Sequence, residues 1–173
     1  MKTIPTLSQA LKLVGTLLAL ALCTNPLTAG MEVGAPLPAL AEYGLEGASL
    51  PTLTGKVVVV DFWASWCGPC LLSFPALQEI QKHYTDAPVV ILAVSVDEKK
   101  EDKERFLKKI KFTPAFTIMH DAQKKMVQTF APGTMPSSYI FDKTGKLRFV
   151  HTGFHGAKSR DEFIKNIDQL LKE

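Results

Sequence analysis

The chain is poor in cysteine and has no long run of like charges. Only three of its 173 residues are cysteines, too few for a protein stapled by several disulfides. Lys2 and Lys12 account for two of the 20 basic residues, so residues 30–173 hold 18 basic and 17 acidic residues. This near neutrality argues against nucleic acid or another polyanion as a partner, and we expect no nucleic-acid binding. The length suits one domain with one hydrophobic core.

Residues 1–29 contain no acidic residue and have the pattern of a secretion signal. A basic start precedes the uncharged apolar residues 13–23, and small residues follow Pro26. The apolar stretch is shorter than the about 20 residues that span a membrane. We predict cleavage after Ala29, with cleavage after Ala21 as the alternative, which leaves residues 30–173 as one exported domain in a bacterial periplasm or cell envelope. An uncleaved leader would act as an N-terminal membrane anchor.

The two cysteines outside this leader, Cys67 and Cys70, lie in one pentapeptide directly after the apolar residues 57–62. A strand that ends there and a helix that begins there place both sulfurs at a helix N-terminus, where free N–H groups stabilise a thiolate. A disulfide across two intervening residues closes a very small loop and adds little stability through chain entropy. The pair is therefore predicted to react, which indicates a thiol–disulfide oxidoreductase.

The apolar pattern predicts alternating strands and helices. Residues 57–62 and 89–96 are predicted strands buried on both faces, and residues 67–84 a helix that Pro75 kinks. The other predicted elements are two short edge strands within 30–56, helices over 98–111 and 122–130, a strand over 116–119, a hairpin from 138–141 and 148–152, and a last helix with a capping box of Ser159 and Glu162. This order predicts an α/β fold, a mixed central sheet with helices on both faces.

The sequence Val-Asp-Phe-Trp-Ala-Ser-Trp-Cys-Gly-Pro-Cys at residues 60–70, followed by Pro75, resembles the active-site strand and kinked helix of the thioredoxin superfamily. Weaker matches resemble its exported TlpA/ResA-like branch; they lie at residues 34–36, 55–56, 116–130 and 142–145. The resemblance covers about residues 33–172. It implies a thioredoxin-like fold with an extra N-terminal segment and a strand–helix insertion.

The motif residues are expected to divide the chemistry among them. Cys67, at the start of the helix, is the expected exposed attacker, and Cys70, one turn further and more buried, resolves the mixed disulfide. Asp61 lies in an apolar strand, so its pKa is expected to be raised, which suits an acid that accepts the proton of Cys70. The alternative is a hydrogen-bonded structural Asp61. Gly68 and Pro69 keep the loop small and stiff.

The resemblance also implies a second half of the site around Pro136. Family members carry a cis proline in a loop that faces the cysteines, and the backbone before it pairs with the client chain. We therefore predict a cis Met135–Pro136 bond. The predicted groove is lined by Trp66, Thr134, Met135, Gly153 and Phe154, and Gly68, Pro69 and Pro136 are also predicted to contact the client. A peptide would add there by main-chain pairing.

Two positions after the cysteines bear on the pathway in which the protein acts. Relatives that act in cytochrome c maturation commonly have a basic residue and a glutamate where this chain has Leu71 and Ser73, which puts that role in doubt. The Gly-Pro dipeptide resembles that of reducing thioredoxins and favours a reductase. We expect a monomer that acts on protein thiols and disulfides, receives electrons from a membrane partner, and needs no cofactor besides the Cys67–Cys70 disulfide.

Copper handling is the main alternative. Cys67 and Cys70 with His151 or His155 resemble the ligand set of the Sco copper chaperones, although those proteins place three residues between the cysteines. We expect no stable metal. Peroxidase activity and a permanently closed structural disulfide are less favoured, and His120 is predicted at the surface.

Overall fold

Within residues 30–173, which the structure describes, six strands form one mixed sheet. The structure is a computed structural model, and the leader predicted for residues 1–29, with its cleavage points and possible anchor, lies outside the described residues. The strands are β1 (Glu46–Gly47), β2 (Val57–Trp63), β3 (Val89–Ser95), β4 (Thr117–His120), β5 (Ser137–Phe141) and β6 (Leu147–Thr152). Their order is β1-β4-β3-β2-β5-β6, with β2, β3 and β4 parallel and the other pairs antiparallel. The predicted mixed α/β fold is confirmed.

Helices connect and cover these strands. They are the 3-10 helix Leu40–Tyr43 and the α-helices α1 (Gly68–His83), α2 (Lys100–Lys109), α3 (Lys125–Phe130) and α4 (Ala157–Lys172). Helix α1 continues through Pro75. None of the helices within the described part of the chain is long and apolar enough to cross a membrane.

Strand β2 is the centre of the fold, and all seven of its residues are buried. Because side chains alternate along a strand, its odd- and even-numbered residues enter different cores. Val57, Val59 and Trp63 share a core with residues of α1, α2 and α4, whereas Val58, Val60 and Phe62 pack with the 3-10 helix and α3. Complete burial of each such side chain stabilises the fold by about 1.5–3 kcal/mol. The end of β2, from which the cysteine loop departs, is therefore held from both faces.

Two predictions, for residues 30–56 and for the start of the last helix, are wrong in detail. Residues 30–56 form one two-residue strand, β1, and an isolated bridge between Pro36 and Lys146, instead of two edge strands. Proline lacks the N–H that a longer ladder needs. The capping box is also absent, because α4 begins at Ala157, two residues before Ser159. The Ser159 hydroxyl instead accepts a hydrogen bond from the His155 N–H at 2.9 Å.

Candidate active site

The two cysteines form a disulfide at the start of α1. Cys67 is the N-cap residue, and its sulfur accepts a hydrogen bond from the Cys70 N–H at 3.2 Å. Pro69 lies in the first turn, where a missing N–H costs no helical hydrogen bond. The Cα atoms of the pair are 5.3 Å apart. The local sequence thus places the Cys67 sulfur among the free N–H groups of a helix N-terminus, which favour the thiolate.

The two sulfurs differ in accessibility, but less than predicted. Cys70 is completely buried, as expected, and Cys67 is only 4% exposed. The prediction of an exposed Cys67 is therefore wrong in the extent of exposure. The side chain reaches the groove surface, but most of it is covered while its sulfur is bonded to the buried Cys70. Of the pair, only Cys67 lines the groove.

An open groove passes over Cys67, and it is lined without a charged side chain. Trp66 forms one wall and is 71% exposed. The predicted groove residues Gly68, Pro69, Thr134 and Met135 are all present, and Pro132 and Gly133 join them. The Met135–Pro136 bond is cis, as predicted.

Three residues predicted for client binding lie elsewhere. Gly153 and Phe154 line a separate cavity together with Pro136, and that cavity shares no lining residue with the groove. The reason is the path of the chain after β6: the Gly153 N–H donates to the Pro136 carbonyl at 2.8 Å, and Gly153 has a φ of 73°, where glycine is favoured. The chain therefore turns behind the proline loop, away from the groove.

Asp61 is a buried acid in the middle of β2. Its Oδ1 accepts a hydrogen bond from the Ser138 hydroxyl at 2.5 Å, and its Oδ2 has no hydrogen-bond partner among residues 30–173. Burial raises the pKa of Asp61 to about 7, although the Ser138 hydrogen bond lowers it. The expected raised pKa is confirmed, so the carboxyl changes its charge near neutral pH.

Asp61 lines the separate cavity, which lies between the sheet, α1 and α4. Ser73, Ser138 and Arg160 contribute the other polar side chains of its wall. The space open to the centre of a water molecule is about 10 Å³, which is about what one water needs. Position 73, where some relatives carry glutamate, therefore faces the same cavity as Asp61, and here it supplies a hydroxyl that donates to the Cys70 carbonyl at 3.1 Å.

A polar network that the sequence did not reveal holds the loop before Cys67. The buried Asp97 carboxylate accepts hydrogen bonds from the Ser65 N–H at 3.0 Å, the Ser65 hydroxyl at 2.7 Å and the Ser95 hydroxyl at 2.9 Å. Lys124 and His120 bond the Asp97 carbonyl at 2.8 and 3.0 Å. His120 is buried, so the surface prediction for it is wrong. The one feature of the sequence that indicates this network is the acidic residue Asp97 just after β3.

The residues of the copper alternative are not gathered into a ligand set. Within the described part of the chain, no group of three or more His, Cys, Asp and Glu side chains is arranged to hold a metal ion. The Nε2 atom of His151 lies 2.8 Å from the Asn166 side-chain nitrogen, and its ring lies against Phe163.

Known proteins are similar to this chain in sequence and in structure. ResA, a thiol-disulfide oxidoreductase of Geobacillus thermodenitrificans, is 34% identical over 125 residues, which are 71% of each chain. ResA of Bacillus cereus is 32% identical over 119 residues, 68% of each chain. A Chlorobium tepidum structure described as a thiol:disulfide interchange protein of the DsbE type has a TM-score of 0.69 and 29% identity, covering 82% of this chain and 99% of its own. The exposed lipoprotein thioredoxin Etrx1 of Streptococcus pneumoniae has a TM-score of 0.59 and 30% identity, covering 68% and 87%.

The fold, the cysteine pair and these similarities define the class: the protein is a thioredoxin-like thiol–disulfide oxidoreductase. Residues 32–170 match the model of the Redoxin family, and the chain belongs to that family.

Proposed function

We propose that this protein reduces disulfides of exported protein clients through Cys67 and Cys70. The observation that carries the proposal is the disulfide at the start of α1, whose first cysteine, Cys67, lines an open, uncharged groove. A groove without charges and with an exposed tryptophan suits an extended, apolar stretch of client chain, because such a stretch contributes main-chain hydrogen bonds and apolar contacts.

The reaction proceeds in two exchanges. The Cys67 thiolate attacks one sulfur of the client disulfide; the client bond breaks, a Cys67–client disulfide forms, and the first client thiolate leaves and takes a proton. The Cys70 thiolate then attacks the Cys67 sulfur, which forms the Cys67–Cys70 disulfide and releases the second client thiolate. Two electrons and two protons pass to the client, and the protein is left oxidised as in the structure.

Asp61 is proposed to accept the proton of Cys70 before the second exchange. A buried thiol is a poor nucleophile until it loses its proton, and Cys70 is completely buried. A carboxyl with a pKa of about 7 is ionised often enough at neutral pH to accept a proton and acidic enough to release it again. Gly68 and Pro69 shape the loop, and Trp66, Thr134 and Met135 line the groove. Pro136 follows Met135 directly and lines the neighbouring cavity instead. No further cofactor is needed.

The proposed setting is the bacterial cell envelope. The signal-like pattern of residues 1–29 and the similarity to an exposed pneumococcal lipoprotein thioredoxin support export. A reductase outside the cytoplasm must be reduced again after each turnover, so we infer a membrane partner that delivers electrons. Residues of this one chain line the groove over Cys67, which is compatible with a monomer that meets its donor and its clients in turn.

The direction of exchange is tested by the reduction potential of the pair. Protein is equilibrated with dithiothreitol or glutathione buffers, the free thiols are alkylated, and the oxidised fraction is read by mass. We expect a potential close to that of reducing thioredoxins, about −270 mV. In full-length protein that retains residues 1–29, Cys23→Ser serves as the control, since it leaves Cys67 and Cys70 as the only thiols. A potential close to the oxidising extreme, about −120 mV, would show an oxidase instead.

A further inference from the structure

We propose that Ser138 is a positioning residue for Asp61: its hydroxyl holds one carboxylate oxygen in place and stabilises the ionised form, leaving the other oxygen to exchange the proton. This inference rests on the proposed role of Asp61 in resolving the mixed disulfide. It deepens that role, because it assigns the charge state of the proton acceptor to one neighbouring strand residue.

The register of the sheet brings the two residues together. Asp61 is paired with Ser138 on β5 and with Ala93 on β3, so the methyl group of Ala93 is its only side-chain neighbour in register on the other strand. The Ser138 hydroxyl donates to Oδ1 and is itself buried. No other hydrogen bond to the Asp61 carboxyl is present among residues 30–173. Ser138 is therefore the one group in the described chain that stabilises this buried negative charge by hydrogen bonding.

The two carboxyl oxygens have different surroundings. Oδ1 is occupied by Ser138, and Oδ2 is buried without a partner, in a residue that lines the water-sized cavity. A buried oxygen without a hydrogen bond is costly, and in native proteins such an atom often has a catalytic role or binds a water. Because the cavity and the client groove share no lining residue, a client can cover the groove without entering the cavity. The proton can then be exchanged while the mixed disulfide exists.

Other charged groups near Asp61 are few, and each can be tested separately. Arg160 of α4 also lines the cavity and is paired with Glu79 and Asp161 at the surface. His151 on β6 is in register with Ser138, and burial lowers its pKa. Cys70 titrates only in the reduced protein, so measurements on the oxidised protein exclude it.

The first test is the pKa of Asp61 in the oxidised full-length protein, measured by carboxyl ¹³C NMR. Ser138→Ala is expected to raise this pKa by about 1 or more, because a hydrogen bond to the charged form is lost. Ser138→Thr, which retains the hydroxyl, is expected to restore the wild-type value. Ser137→Ala is the matched control on the same strand, since its hydroxyl donates to the Thr134 carbonyl at 2.7 Å and not to Asp61. His151→Gln excludes the histidine as the source of the change.

The second test follows the resolving step itself. A thionitrobenzoate group is placed on Cys67 as a mixed disulfide, and its release by Cys70 is timed by absorbance between pH 5 and 9. In Ser138→Ala the rising part of the rate profile is expected to move to higher pH by the same amount as the pKa. An unchanged Asp61 pKa in Ser138→Ala, or a Ser138→Thr variant that behaves like Ser138→Ala, would overturn the role of Ser138. A changed pKa with an unmoved rate profile would instead contradict the proposed role of Asp61, and with it the catalytic meaning of Ser138.

Discussion

Cys67→Ser is expected to lose disulfide exchange almost completely, by at least about 100-fold in the reduction of insulin. The serine retains the N-cap position but replaces a thiolate by a hydroxyl, which does not attack disulfides in the insulin assay. Cys70 should not substitute for it, because its side chain is completely buried and does not line the groove. Turnover is measured as the precipitation of reduced insulin chains with dithiothreitol as the electron source.

The matched control is Cys23→Ser, which removes the cysteine outside the motif. This variant should reduce insulin at the wild-type rate. If Cys67→Ser retained more than about a tenth of the activity while Cys23→Ser lost it, the assignment of the reactive pair would be wrong.

Asp61→Asn is expected to change the pH dependence of stability. The pKa of Asp61 is about 7 in the folded protein against 3.8 for an ordinary aspartic acid side chain, so the folded state binds more protons than the unfolded state between these pH values. Stability of the wild type therefore falls as pH rises from about 4 to 7 and then levels off. The carboxyl contributes up to about 4 kcal/mol of destabilisation above pH 7, at about 1.36 kcal/mol for each pKa unit. The asparagine variant has no carboxyl at this position, so its stability does not fall in this way as the pH rises.

Denaturant unfolding of the oxidised protein at pH 4.5 and pH 8 measures the effect. The variant should be clearly more stable than the wild type at pH 8, with a smaller difference at pH 4.5. Asp86→Asn, a change of an exposed acid, is the control and should leave both values nearly unchanged. Release of thionitrobenzoate from Cys67 should at the same time slow in Asp61→Asn, so that stability and turnover move in opposite directions. Equal stability of variant and wild type at pH 8 would show that the buried charge of Asp61 does not destabilise the folded protein.

Most of the fold could be predicted from the sequence, because the strongest patterns in the sequence are local ones. The continuous apolar run of β2 and the helical spacing of α1 are set by neighbouring residues, and the Cys-Gly-Pro-Cys segment joins them directly. The order of elements then leaves few arrangements for a mixed sheet. The irregular residues 30–56 carry no such periodicity, which is why only β1 and one bridge replace the two predicted strands.

Some features of the site could not be predicted from the sequence. They depend on the register in which strands pair and on the direction that the chain takes after a strand ends. Ser138 lies opposite Asp61 only because β5 pairs with β2 in one particular register, and a shift of one residue would present Ser137 instead. Gly153 and Phe154 follow β6 closely enough to suggest the groove, but the turn at Gly153 directs them to the cavity. Asp97 and Ser65 are 32 residues apart, and no local pattern joins them.

The central claim is that electrons pass through a covalent bond between Cys67 and a client sulfur. Cys70→Ser in the Cys23→Ser background leaves Cys67 as the only thiol, and after incubation with an oxidised client its adducts are identified by peptide mass. We predict a stable disulfide between Cys67 and a client cysteine, released by dithiothreitol and absent from the variant that also carries Cys67→Ser. A protein that forms no such adduct, yet reduces the same client with Cys70 restored, would contradict the account.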